Sequence, residues 1–277
     1  MKPKQRNAKK IIHRKPNFQI PQDIEKYWLG GSVFKTHFLN SFTLIFPIGE
    51  RYFIRSINCM LKKINDPILL TEAQSFIKQE AQHAIEHGRF MNILKNQGLE
   101  FEGTLKYVEF LIEKILAPMN GEALNLAVTS GLEHMTALLA EISLSENFLK
   151  EAPSSIRDLY NWHAAEEIEH RAVAFDILSE CHPHFALRVA GLFYAYVLLS
   201  GLTAFFTAKL IVEDGKIFNK VIWTDFFDTF IFKEKLLFKA AGIFVNYLSP
   251  DFHPLNEKID HLGKSIFKQQ NNFASSL

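Results

Sequence analysis

Residues 79–83 read Gln79-Glu80-Ala81-Gln82-His83, and residues 166–170 read Glu166-Glu167-Ile168-Glu169-His170. Each stretch carries a Glu-x-x-His motif inside a segment of helical periodicity. At a separation of three, the carboxylate and the imidazole share one helix face and converge on one point. One such motif arises readily in a charged helix. Two of them, each preceded by a predicted helix with a central glutamate (Glu50 and Glu133), reproduce the ligand pattern of dinuclear carboxylate bundles.

Outward from the motifs, the turns test the geometry. Position 65 lies midway between Glu50 and Glu80 and falls in the turn Ile64-Asn65-Asp66-Pro67. Position 150 lies midway between Glu133 and Glu167 and opens the turn Lys150-Glu151-Ala152-Pro153-Ser154-Ser155. Residues equidistant from a hairpin turn stand at the same height, here about 22–26 Å along each arm at the helical rise. Both hairpins are therefore expected to bring a lone Glu level with a Glu-x-x-His. Leu44-Ile45-Phe46 and Tyr52-Phe53-Ile54 flank Glu50, so its carboxylate is expected inside, where it needs a pairing charge or a metal.

Composition agrees with helices. Phe is abundant (26 of 277 residues), Gly (13) and Pro (10) are scarce, and hydrophobic residues make up 48%. The predicted order is a long helix from Ser32 to about Lys63, with Pro47-Ile48-Gly49 as a kink. Helices follow at about 68–95, 99–120, 122–148 and 155–180. Val189–Ala208 is twenty residues without a charge, and 217–248 is an amphipathic stretch rich in Phe and Trp. The uncharged segment reads either as a buried fifth helix or as a segment in or on a membrane. No strand is predicted. The expected fold is all-α, a ferritin-like four-helix bundle with additional C-terminal apolar helices, in one domain spanning 26–277.

Residues 1–15 hold seven Lys/Arg and no acid, leaving 24 basic against 30 acidic residues elsewhere. Residues 1–25 are expected to form a flexible basic tail, with contact to a membrane surface as the second reading. No nucleic-acid partner is expected. Cys59 and Cys181 are too few for a disulfide framework, and no apolar stretch follows the basic N-terminus as a secretory signal requires. The expectation is cytoplasmic, with membrane association as an alternative. Phe-rich C-terminal surfaces allow a homodimer.

The candidate metal ligands are Glu50, Glu80, His83, Glu133, Glu167 and His170. His163 lies four residues before Glu167 on the same face and is taken as a seventh. His87, four after His83, reads as a support behind the ligands or as a further ligand, and Glu86 and Glu166 as acceptors for a ligand imidazole or as solvent-facing groups. His134 and Glu169 point away from the ligand line and are left out.

Trp28-Leu29-Gly30-Gly31, Phe46-Pro47-x-Gly-Glu50, Gln79-Glu80-x-x-His83, Trp162-His163-x-x-Glu166-Glu167-x-Glu169-His170 and Phe252-His253-Pro254 resemble the bacterial family named "predicted metal-dependent hydrolase". The resemblance covers nearly the whole chain after about residue 25 and implies a ferritin-like fold. The ligand order with His163 also resembles that of the di-iron arylamine N-oxygenases, in spacing alone. A carboxylate-and-imidazole set without thiolates suits two Fe ions, or Mn or a mixed pair. The expected function is a di-iron oxygenase or oxidase that uses O2 and an electron donor on an apolar or aromatic small molecule. A di-metal hydrolase is the alternative, and a non-catalytic iron-binding protein the second. The sequence carries no nucleophile elbow, Walker loop or dinucleotide fingerprint.

Overall fold

The computed structural model describes residues 11–274, and every regular element among them is helical. Two long hairpins carry the motifs. In the first, α1 (Val33–Met60) leads through a short turn into α2 (Pro67–Asn96). Ser32 caps α1 by accepting from the Lys35 amide, and Asp66 caps α2 by accepting from Ile68 and Leu69, with Pro67 in the first turn. Helix α1 runs through Pro47 as one element. Between the hairpins lies α3 (Glu102–Phe110), followed by a wide π-type turn at Leu111–Leu116.

The second hairpin pairs α4 (Ala117–Ser145) with α5 (Ser154–His170). Gly121 sits inside α4 at φ 69°, ψ 172°, a conformation closed to residues with a Cβ, so the regular helix begins after it. The expected single helix over 155–180 is instead two. Arg171 and Ala172 separate α5 from α6 (Val173–Cys181). The break comes at Arg171, whose buried guanidinium donates to the carbonyls of Ile168, Pro254 and Glu257 and pairs with Asp260.

Helix α7 (Phe185–Glu213) contains the uncharged stretch and packs on α4 and α1. Small residues permit the α4–α7 approach. A Cβ on Gly191 would stand 2.4 Å from the Ala127 carbonyl carbon, and one on Gly131 would stand 2.9 Å from the Gly191 oxygen. Of the described helices, α7 alone is long and apolar enough to cross a membrane, and 33% of its most apolar window is buried. Phe193, Tyr196, Val197 and Phe205 face outward. The stretch expected as one amphipathic segment over 217–248 comprises α8 (Lys220–Phe227), a π-type turn at Asp228–Phe232, and α9 (Leu236–Tyr247). Lys235, at φ 55°, turns the chain between them. Helix α10 (Asp260–Ala274) closes on α5.

Of the stretch expected as a flexible tail, residues 1–10 lie outside the described residues. Residues 11–20 are extended and lie against the bundle. Phe18 packs on Trp162, and Arg14 bonds to both Glu166 and Glu169. The two acids on α5 supply the reason that Arg14 is held.

Candidate metal centre

Seven side chains from four helices meet in the middle of the bundle: Glu50 from α1, Glu80 and His83 from α2, Glu133 from α4, and His163, Glu167 and His170 from α5. All are at most 4% exposed. Each hairpin does bring its lone glutamate beside the facing Glu-x-x-His motif, because hairpin arms of matched length place these residues at one height. Ligand atoms of Glu50, His83 and His163 lie within 4.8 Å of one another, as do those of Glu80, His83 and Glu167, and of Glu80, Glu133 and His170. These groups overlap through Glu80 and His83, the arrangement of two adjacent cation positions.

Glu80 and Glu167 each face imidazoles of more than one of these groups. Glu80 Oε1 lies 3.7 Å from His83 Nδ1 and 3.3 Å from His170 Nε2. Glu167 turns Oε1 toward His83 and His163 (3.6 and 2.9 Å) and Oε2 toward His170 (3.4 Å). Thr136 on α4 donates to that second oxygen.

Hydrogen bonds behind the imidazoles fix which nitrogen is free. The Gln79 amide nitrogen donates to the Ile12 carbonyl and to Glu169, so its oxygen faces His170 and accepts from Nδ1 at 3.1 Å. His170 Nε2 is thereby left as a lone pair. His83 Nε2 donates to Glu166 at 3.2 Å, and Arg14 holds the other oxygen of that carboxylate. His83 Nδ1 is left free in turn. A longer chain fixes His163. Tyr160 donates to the Leu39 carbonyl, so Thr43 donates to the Tyr160 oxygen, and His87 Nδ1 donates to Thr43. His87 Nε2 then accepts from His163 Nδ1 at 2.8 Å. With every bond in this chain made, His163 Nε2 also presents a lone pair, 2.9 Å from a carboxylate oxygen. Two acceptors at that distance need a proton or a cation at the contact.

A cation pair fits these residues. Both oxygens of Glu50, Glu80 and Glu133, with His83 Nδ1 and His170 Nε2, are buried and make no hydrogen bond. Buried polar atoms are rarely left so, and eight around one point is the pattern of a ligand set. Burial and mutual repulsion push the carboxyls of Glu50, Glu80 and Glu133 well above the usual range. Burial also opposes ionisation of Glu167, but the neighbouring His170 and His163 rings outweigh it and hold this carboxyl well below that range. Burial, with His163 close by, holds His83 and His87 well below the usual imidazole range, hence neutral and able to bind through nitrogen. Four carboxylates balance two divalent cations, which removes the cost of burying them.

Of the residues expected behind the ligands, His87 and Glu166 bond to His163 and His83. Glu86 does not join them. It accepts from Gln82 and Arg89 on its own helix, the nearer donors. His134 lies apart, bonded to the Ile243 carbonyl and packed on Tyr247. Glu169 takes no ligand position but anchors Arg14 and Gln79. Sequence reading missed Gln79, Thr136, Thr43, Tyr160 and Arg14. Gln79 directly precedes Glu80 and Thr136 follows Glu133 by one turn, positions that signal support once the ligands are known. The other three reach the site through the tertiary fold.

Two small apolar cavities adjoin the centre. One, of about 50 Å³, meets Glu50, His163 and Glu167 and is otherwise walled by residues such as Ile45, Phe53, Leu202 and Phe206. The other, of about 90 Å³, reaches His163 and Glu167 beside Phe38, Phe42 and Phe46. Hydrocarbon walls therefore border the Glu50–His163–Glu167 side of the cluster.

The profile of the family described as "predicted metal-dependent hydrolase" matches residues 12–258. No curated protein and no solved structure matches the chain. The chain belongs to that family.

Proposed function

We propose that this member of the predicted metal-dependent hydrolase family is a dinuclear-metal enzyme that hydrolyses a small, largely apolar substrate at the Glu50–Glu80–His83–Glu133–His163–Glu167–His170 cluster. One observation carries the reading: eight buried, unbonded oxygen and nitrogen atoms of five of these side chains converge where two cations can sit. The family match supports hydrolysis as the reaction. A bound divalent pair supplies Lewis acidity and lowers the pKa of water.

The chain's own residues supply the rest. Glu80 and Glu167 would serve both cations, and Glu133 and His170 would hold the one farther from the cavities. Arg14–Glu166 and Gln79 keep His83 and His170 aimed inward, while Thr136 fixes the Glu167 carboxylate. Glu50 has both oxygens free at the edge of a cavity. With His83 and His163 it would hold the cation nearest that cavity. Hydrocarbon walls exclude bulk water and favour a substrate with little polar surface.

A second reading rests on the ligand set itself. Paired helix-borne Glu-x-x-His motifs with lone glutamates and no thiolate suit iron or manganese and O2-dependent oxidation. The two readings separate in one series of measurements. Protein loaded with zinc, manganese or Fe(II) is assayed for cleavage of nitrophenyl esters and phosphates, and the Fe(II) form for O2 uptake. Ester or phosphate turnover without O2 uptake supports hydrolysis. O2 uptake by the Fe(II) form without turnover replaces hydrolysis with oxidation. Unchanged metal content in Glu80→Gln and Glu167→Gln removes the centre and both readings with it.

A further inference from the structure

A third cavity, of about 420 Å³, lies among α1, α4, α7, α8 and α9. An apolar cavity of ~150 Å³ already admits benzene, and ligand sites start near ~300 Å³. Its lining contains no Asp, Glu, Lys, Arg or His; the polar groups in it are the hydroxyls of Tyr196, Ser200, Thr203 and Thr207 and the Trp223 ring nitrogen. The Thr203 hydroxyl is 93% buried by residue and bonds to nothing. Trp223 and Leu237 on its α8 and α9 walls, and Tyr196, Ser200, Ala204 and Ala208 on its α7 wall, are exposed, so the cavity opens to the surface.

Its inner end shares Phe38, Phe42, Leu139, Ile142 and Leu236 with the 90 Å³ cavity that reaches His163 and Glu167. The large cavity, the small cavity and the candidate centre are therefore neighbours in that order, with these five side chains between the two cavities. From this order we infer that the cavity among α1, α4, α7, α8 and α9 binds a single alkyl chain, one end of which reaches the His163–Glu167 side of the metal centre. The absence of charge along the wall selects hydrocarbon, because a charged group taken inside would lose its hydration without a partner. The narrow inner cavity takes one chain and no more. The substrate class is thus a single-chain amphiphile. This deepens the proposed function and rests on it only for the metal at the inner end.

The test uses the whole protein and a dansyl-labelled undecanoate, displaced by dodecanol and by hexanol. Saturable probe fluorescence, displaced better by dodecanol than by hexanol, is expected. Ala240 lines the cavity, whereas its neighbour Ala241 is exposed and does not. Ala240→Trp should weaken probe binding at least tenfold, and Ala241→Trp should leave it unchanged. Equal loss in both variants, or equal displacement by both alcohols, overturns the assignment. Probe binding that persists in Glu80→Gln protein separates the chain site from the metal reading, since that variant disables the centre alone. In Mn(II)-loaded protein, proton resonances at one end of bound dodecanol should broaden selectively. Uniform sharp lines in protein shown to hold manganese would place the chain elsewhere.

Discussion

His163 Nε2 lies 2.9 Å from Glu167 Oε1, one turn apart on α5 with both side chains buried. The bonds running from the Leu39 carbonyl through Tyr160, Thr43 and His87 leave that nitrogen as an acceptor facing an acceptor. A cation placed between them would satisfy both. His163→Leu should therefore weaken one of two bound ions while the second is retained, read by calorimetric titration with Mn(II). Two equally tight ions in the variant would show that His163 is a neighbour and not a ligand.

Gln79 and Glu166 touch no proposed cation position, yet each fixes the free nitrogen of a histidine. Losing such a support typically costs about 10–100-fold in metal affinity. Gln79→Leu should show a loss of that size at the His170 end. Glu166→Gln should show less, because an amide oxygen can still accept from His83. Circular dichroism should remain that of the parent. A Gln79→Leu protein that binds metal as tightly as the parent would refute the tautomer assignment.

Without metal, the glutamates make the centre a source of instability. Unfolded carboxyls titrate near 4.5, whereas Glu50, Glu80 and Glu133 are held well above that value and Glu166 is pushed up to about 7. The folded state keeps protons the unfolded state has released, so stability falls as pH rises through the folded values. His83 and His87 act oppositely, but only below about 6.5, where the unfolded imidazoles begin to charge. Above that pH the carboxylates act alone among these groups, and the metal-free Tm should drop steadily. Glu80→Gln should flatten the slope and raise the metal-free Tm while lowering metal content. A parent Tm that climbs between about pH 6.5 and 8.5 would contradict this reading.

Gly191 lets α7 lie directly on α4, with its missing Cβ overlapping the Ala127 backbone. Gly191→Ala forces backbone apart instead of a movable side chain. The cost expected is about 1–3 kcal/mol or more, measured by denaturant unfolding. Gly201, with nothing within 4 Å of an added Cβ, serves as the control, since alanine there should be neutral or slightly stabilising through helix propensity. Equal effects at the two positions would rule out close packing as the reason for the glycine.

The clustering of the candidate ligands and the helical fold were legible in the sequence because both are periodic. Three-residue spacing fixes a helix face, and turns at positions 65 and 150 fix the height at which faces meet. Glu50, Glu80, His83, Glu133, Glu167 and His170 thus come together from local rules applied twice. What lies behind and beside them does not follow from spacing. Arg14 reaches Glu166 across 152 residues, and Thr43 meets Tyr160 across 117. The break after His170 comes at a buried Arg171, three of whose four partners lie more than 80 residues onward. Glu86 reads much like Glu166 in sequence, but Arg89 and Gln82 lie within reach of it and His83 Nε2 faces Glu166 instead. Local periodicity determined which groups can ligate. Only the packing of distant segments decided which nitrogen each imidazole presents and which hydrocarbon wall a substrate meets, because hydrogen-bond direction and cavity shape depend on neighbours supplied by the whole fold.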